Sequence, residues 1–291
     1  MLSTDRALSA DRASSAERGP GSESRRGPAV ALTIAGSDSG GGAGLQADLR
    51  TFAAHRVFGT CAVTAITAQH TSAVLAVEPI DPRLVDLQIT AVLDDLPVAA
   101  VKTGMLATTE TVRSVARRAA AGDLPHLVVD PVLFASTGRP LLESEGPRTY
   151  VDELIPHALV VTPNLREAQA LTGIGIDNVE HMIDAAKKLA DLGATTVVVK
   201  GGHLGGDSAP DVVVHEGEVT LLEVARIETV NDHGTGCTLS ASIAAQLALG
   251  EEPSGAVRNA KNYVTDAIRG AVDWSLGSGR GPLDQLGWSL D

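Results

Sequence analysis

Five short runs of this chain are almost wholly apolar, and each stops where polar residues or glycines begin. Val30–Ala35 leads into Gly36–Gly44, Val98–Lys102 into Thr103-Gly104, and Leu127–Val129 into Asp130-Pro131. Leu159–Thr162 leads into Pro163-Asn164, and Thr195–Lys200 into Gly201-Gly202. A strand with no alternation of apolar and polar residues is buried on both faces, as in a parallel sheet covered by helices. Cys61–Thr67 reads as a further β-rich strand, and Val212–His215 with Val219–Leu222 as a hairpin around Glu216-Gly217. Helical spacing fills the gaps. Leu45, Leu49, Phe52 and Ala53 share one face, as do Leu84, Leu87 and Ala91 within Pro82–Leu96. In Thr238–Leu249 the stripe is Leu239, Ile243 and Leu247, with Gly250 as the C-cap. The expected fold class is α/β, a three-layer architecture with a mainly parallel central sheet and helices on both faces. Right-handed crossovers gather the strand C-termini at one edge, where ligands bind. No linker interrupts the pattern, so residues 29–291 are expected to form one domain. Aromatic residues make up only 2% of the chain, so Ala, Val, Leu and Ile must build its core.

The formal charge of −13 argues against nucleic acid or an anionic membrane surface as a partner. No apolar run reaches the roughly 18 residues that a membrane span needs. Cys61 and Cys237 make neither a disulfide framework nor a metal pattern, which fits a reducing cytoplasm. Residues 1–28 are rich in Ser, Arg, Ala and Gly and lack the apolar core of a signal peptide. Asp5, Asp11, Glu17 and Glu23 also argue against an organellar transit peptide, so a disordered extension is expected there.

Asp38, Gln69, Lys102, Asp130, Asn164 and Lys200 all follow or end these strands. Each alone suits an ordinary loop start, but together they suggest a site. The most specific segment is Asn231-Asp232-His233-Gly234-Thr235-Gly236-Cys237-Thr238, placed directly before a helix. Its glycines let backbone approach a ligand closely, and the helix start presents N–H groups with a favourable dipole. That combination suits a transferring phosphoryl group. The same spelling also serves a glycine-rich cap on a core helix. Cys237 would sit in the first turn, where a helix N-terminus lowers a thiol pKa, or it is a small buried apolar residue. The second glycine segment, Gly36–Gly44, partly fits a dinucleotide fingerprint. No acid follows between Asp48 and Glu78, which disfavours a dinucleotide enzyme, and no Walker A sequence is present. Asp48 borders a buried helical face, so it needs a partner or a polar ligand. Asp130 and Glu167, with Asn164 nearby, are candidate Mg²⁺ carboxylates, and Lys200 is placed to reach a phosphate.

Taken in order, these segments resemble the hydroxymethylpyrimidine/phosphomethylpyrimidine kinases of thiamine biosynthesis, within the ribokinase-like superfamily. The resemblance runs from about Val30 to Trp288. Ala35-Gly36-Ser37-Asp38, Gly41–Leu49, Thr64–Gln69 and Lys102–Leu106 carry its first half. Asp130-Pro131-Val132, Thr162–Ala168, Lys200–His203, His233–Ser240 and Gly279–Leu283 carry its second. It implies a ribokinase-like fold and ATP-dependent phosphorylation of 4-amino-5-hydroxymethyl-2-methylpyrimidine, first to the monophosphate and then to the diphosphate. It implies that Asp48 and Gln69 hydrogen-bond the pyrimidine, with Gly36, Met105 and Val132 lining its pocket. Lys200, Asn164 and Thr235 would meet ATP, and Asp130 and Glu167 would serve Mg²⁺. Gly234 and Gly236 would form the anion hole, with Cys237 where most of the superfamily has an aspartate base. A cytoplasmic homodimer is the implied state.

Two departures stand out. His70 replaces the usual asparagine, and Asp232 replaces a common threonine, adding negative charge beside the anion hole. The nearest rival reading is a pyridoxine or pyridoxal kinase. The cysteine-type pyridoxal kinases carry a lid cysteine that Leu133–Gly138 lacks. A non-catalytic pyrimidine sensor is the rival from another class.

Overall fold

The computed structural model describes residues 27–289 apart from 136, 137 and 139. The expected extension lies outside the described residues except for Gly27 and Pro28.

Strand β1 (Val30–Asp38) is buried along its length except at Ser37 and runs three residues beyond the expected end at Ala35. It lies parallel between β2 (Phe58–His70) and β4 (Val98–Thr103). Strands β5 (Val128–Val129), β6 (Val160–Val161) and β7 (Thr196–Lys200) continue the parallel sheet. Antiparallel strands close both edges. These are β3 (Ala73–Pro79) beside β2, and the hairpin of β8 (Asp211–His215) and β9 (Glu218–Leu222) beside β7. The hairpin turns at Glu216 and Gly217, both at positive φ, which matches the strand twist. Strand β3 was not expected from the sequence.

Successive residues of each buried strand serve opposite faces. Ala31, Ala100, Val128, Val160 and Val198 pack with Phe52, Leu239 and Ile243 on one side. Here lie α1 (Gly44–Ala54), α7 (Thr235–Ala248) and α8 (Pro253–Gly270). Leu32, Val101, Val129, Val161 and Val197 pack on the other side. There lie α2 (Pro82–Asp95), α3 (Thr109–Ala121), α4 (Gly146–Thr149), α5 (Leu165–Thr172) and α6 (Val179–Ala190). The three layers of the α/β fold are therefore as expected.

Two helical faces differ from expectation. In α2 the buried residues are Val85 and Ile89, whereas Leu84 and Leu87 are 51% and 63% exposed and Ala91 is exposed. The helix carries two apolar stripes, and a side-chain clamp selects between them. Gln88 accepts from the Val63 amide at 2.9 Å and donates to its carbonyl at 3.1 Å. On α1, Leu45 and Phe52 are buried, but Ala53 faces solvent. Helix α7 is buried almost all round, because alanines fill the positions between Leu239, Ile243 and Leu247. The C-terminal ends of β1, β4, β5, β6 and β7 bring Asp38, Lys102, Asp130, Asn164 and Lys200 to one edge.

Candidate active site

Helix α7 begins at Thr235, three residues earlier than its periodicity suggested, with Gly234 as N-cap at φ +89°. A Cβ on Gly234 would lie 2.0 Å from the Gly42 carbonyl oxygen, so only glycine fits. A Cβ on Gly42 would in turn lie 2.3 Å from His233 Cδ2. The two glycine segments are thus stacked backbone to backbone. No side chain caps α7, so its first-turn amides can receive an anion.

Lys200 faces this helix start. A Cβ on Gly236 would lie 3.0 Å from Lys200 Nζ. The ammonium donates to Asp130 Oδ1 at 3.0 Å. Asp130 also accepts from Thr162 Oγ1 at 3.3 Å and Ser240 Oγ at 3.2 Å. Burial works against the Asp130 carboxylate, but Lys200 and Lys102 outweigh it and hold its pKa low. Glu167 behaves oppositely: burial, aided by Asp130, pushes it up to about 7. Glu167 also forms a reciprocal capping box with Asn164, which starts α5. Asn164 Oδ1 accepts from the Glu167 amide at 2.9 Å, and Glu167 Oε2 accepts from the Asn164 amide at 2.8 Å.

Cys237 is the third residue of α7 and only half-buried. The expected lowering of its pKa does not occur. Desolvation pushes the thiol up to about 11, and Asp48 and Asp130 oppose a second negative charge, against the pull of Lys102.

Asp48 does have a partner, and it is Lys102. The ammonium lies 3.0 and 2.8 Å from the two carboxylate oxygens, and both side chains are 0% exposed. Thr33 Oγ1 adds a third donor at 2.7 Å. Burial disfavours the charge on Lys102, but Asp48 prevails and raises its pKa. Lys102 lines the site cavity and Asp48 does not. The carboxylate expected to meet a pyrimidine is turned onto a lysine instead.

Gln69, Met105 and Val132 line the same cavity of about 1100 Å³ as Lys200, Asn164, Thr235 and Cys237. So do Gly36, Gly234, Gly236, Asp130 and Glu167. Gly36 is required there, because a Cβ would lie 2.3 Å from Met105 Cε. His233 Nε2 sits 3.1 Å from both Asp38 Oδ2 and Gln69 Nε2. Asp38 also accepts from the Gly40 and Ala43 amides, each at 2.9 Å. It thereby ties the first glycine segment to the second.

The sequence places Lys102 and Asp38 among the strand-end residues that suggest a site but gives them no specific role, and it gives none to His233 or Ser240. A signal existed for Lys102, since a lysine ending an apolar strand requires a buried acid. The charge foreseen at Asp232 is not free, because Arg280 grips it. Among the described residues no group of three or more His, Cys, Asp or Glu could hold a metal.

The sequence profile of the family described as phosphomethylpyrimidine kinase matches residues 38–284. A hydroxymethylpyrimidine/phosphomethylpyrimidine kinase of Rhizobium meliloti (strain 1021) is 49% identical over 259 residues, covering 88% of this chain and 96% of that protein. Among solved structures, the Bacillus subtilis pyridoxal kinase in its ADP complex superposes with a TM-score of 0.83 at 38% identity, covering 91% of this chain and 100% of that one. The phosphomethylpyrimidine kinase of Clostridium difficile 630 gives 0.73 at 41% identity, covering 82% and 99%. A match that runs through the first glycine segment, both lysines and the start of α7 leaves one conclusion: this chain belongs to the phosphomethylpyrimidine kinase family.

Proposed function

We propose that this protein transfers the γ-phosphoryl of ATP to 4-amino-5-hydroxymethyl-2-methylpyrimidine, and then to the resulting monophosphate, in thiamine biosynthesis. The observation that carries the reading is the uncapped start of α7 facing Lys200 across one large cavity. The acceptor oxygen attacks the γ-phosphorus, the bond to ADP breaks, and the Gly234 and Gly236 backbone receives the developing charge. Lys200, Asn164 and Thr235 meet the nucleotide. Gln69 reads the pyrimidine edge, against Gly36, Met105 and Val132. Asp48 acts at one remove by holding Lys102. Cys237 takes the acceptor's proton, which requires its thiolate; with its pKa pushed up to about 11, that form is scarce at neutral pH.

Asp130 and Glu167 suit Mg²⁺ by their chemistry. They are hard oxygen donors, and two carboxylates share one ammonium, which leaves negative charge for a cation. The ion, when bound, would neutralise phosphate charge.

A second reading, action on pyridoxal, draws on the higher TM-score to the Bacillus subtilis pyridoxal kinase. A side-by-side coupled assay of ADP release with the hydroxymethylpyrimidine, its monophosphate and pyridoxal tests both. Turnover on the first two with little on pyridoxal is expected. Binding without ADP release would sink the kinase reading.

The proposal extends to a cytoplasmic homodimer. β3 is an edge strand, and Ile66 beside it, like Leu84 and Leu87 on α2, is exposed. A two-fold dimer buries the same patch on each copy. Sedimentation of Leu87→Glu as a monomer, against a wild-type dimer, is the expected result. Residues 29–291 are proposed as the whole catalytic domain, so a chain starting at Ala29 should keep full activity.

A further inference from the structure

Asp232 lies two residues before the N-cap of α7, and its carbonyl accepts from Thr235 Oγ1 at 2.6 Å. Its carboxylate and Arg280 both wall the cavity. Arg280 Nε donates to Oδ1 at 2.6 Å, and a second guanidinium nitrogen donates to Oδ2. The side chains remain 42% and 34% exposed. An ion pair so open to water adds little to stability. The backbone here is already held without it. The His233 amide donates to the Gly281 carbonyl at 3.0 Å, and the Gly281 amide donates to the Val230 carbonyl at 3.1 Å. Asn231 is buried and anchored to the Ala271 and Trp274 carbonyls. What the pair uniquely supplies is a cation over an acid that would otherwise face an incoming polyanion.

We propose that Arg280 is a positioning residue for nucleotide binding: it turns the Asp232 carboxylate onto itself and cancels its charge, keeping the mouth of the α7 anion hole attractive to ATP phosphates. The idea rests on reading this cavity as the ATP site. It predicts a compensating pair. Arg280→Ala should raise KM for ATP roughly fivefold to tenfold, the scale of one partly screened charge, with kcat and the pyrimidine KM changed far less. Asp232→Asn alone should leave the ATP KM at or below the wild-type value. The double variant should return close to wild type. The Arg280→Ala defect should also shrink as KCl is raised, and Arg280→Lys should recover part of it.

The measurement is initial-rate kinetics at two salt concentrations, with melting temperatures to verify folding. Arg280→Gln serves as a second neutral variant should the alanine form fold poorly. An ATP KM unchanged in a folded Arg280 variant would overturn the proposal. So would a double variant as impaired as Arg280→Ala, because Arg280 would then act through shape, not charge. A wild-type protein with no ATP-dependent turnover would instead remove the kinase reading itself, and this proposal with it.

Discussion

Two lysine–aspartate pairs sit at one edge of the parallel sheet, where Lys102 lies near the end of β4 and Lys200 ends β7, and they differ in what surrounds them. Lys102 with Asp48 is sealed, with both side chains 0% exposed. Lys200 with Asp130 is nearly as buried, at 14% and 2%, but both of its members line the cavity, whereas of the first pair only Lys102 does. Asp48 is saturated by Lys102 and Thr33 alone. Asp130 shares its lysine's field with Glu167, whose own pKa is driven upward by burial and then by Asp130, against the pull of Lys200. Burial does not separate Lys102 from Lys200, the lysine proposed to serve the chemistry. The separating feature is whether both members of the pair line the cavity.

The comparison is broken most directly at the sealed pair. Asp48→Ala leaves Lys102 buried without a counter-charge and should cost about 3–5 kcal/mol of stability. Denaturant unfolding measures this; a loss below about 1 kcal/mol would mean that water reaches Lys102. Lys200→Ala should act first on rate, lowering kcat by about 10²–10³-fold, the loss typical of a charge-stabilising donor, and cost less stability than Asp48→Ala because Lys102, Thr162 and Ser240 still meet Asp130. Equal losses of stability in both variants would erase the distinction.

Cys237 stands between the pairs. Cys237→Ser should lower kcat by about 10²-fold if proton transfer to sulfur matters. Since the thiol is pushed up to about 11, wild-type kcat should also climb with pH through the alkaline range. A serine variant that keeps both the rate and the climb would reduce Cys237 to shaping the anion hole. The smallest effect concerns Glu167. Its folded pKa, about 7, exceeds the ordinary 4.5, so between these values the folded protein binds more protons than the unfolded one. Its contribution is therefore full below pH 4.5 and falls away through pH 7 in the metal-free protein. Glu167→Gln should flatten that decline in melting temperature, and Mg²⁺ with nucleotide should oppose it.

The layered fold was legible because strands such as Thr196–Lys200 carry apolar side chains to both faces. Edge strand β3 was not, since Leu75 and Ala76 face solvent and their side chains encode no burial. The inward face of α2 was ambiguous for a related reason, as its two apolar stripes look alike in sequence, while core packing of Val85 and Ile89 and the contact of Gln88 with Val63 go with one of them. Within the site, the glycines before α7 announced themselves locally. The partners of Asp48 and Asp232 did not, because Lys102 and Arg280 lie 54 and 48 residues further along the chain. Periodicity has no reach over such distances. The thiol differs from expectation because a helix start alone suggests a lowered pKa, while desolvation of the thiol, helped by the nearby Asp48 and Asp130 carboxylates, decides it.

The rungs between Gly281 and the residues before α7 carry a consequence for how the protein is made. The loop before the proposed anion hole meets this support only when Gly281 has been translated, 48 residues after His233. A ribosome-bound chain stalled before that point would hold every proposed catalytic side chain, yet lack the backbone rungs that hold their loop in place. Competence would arrive late in synthesis, and abruptly.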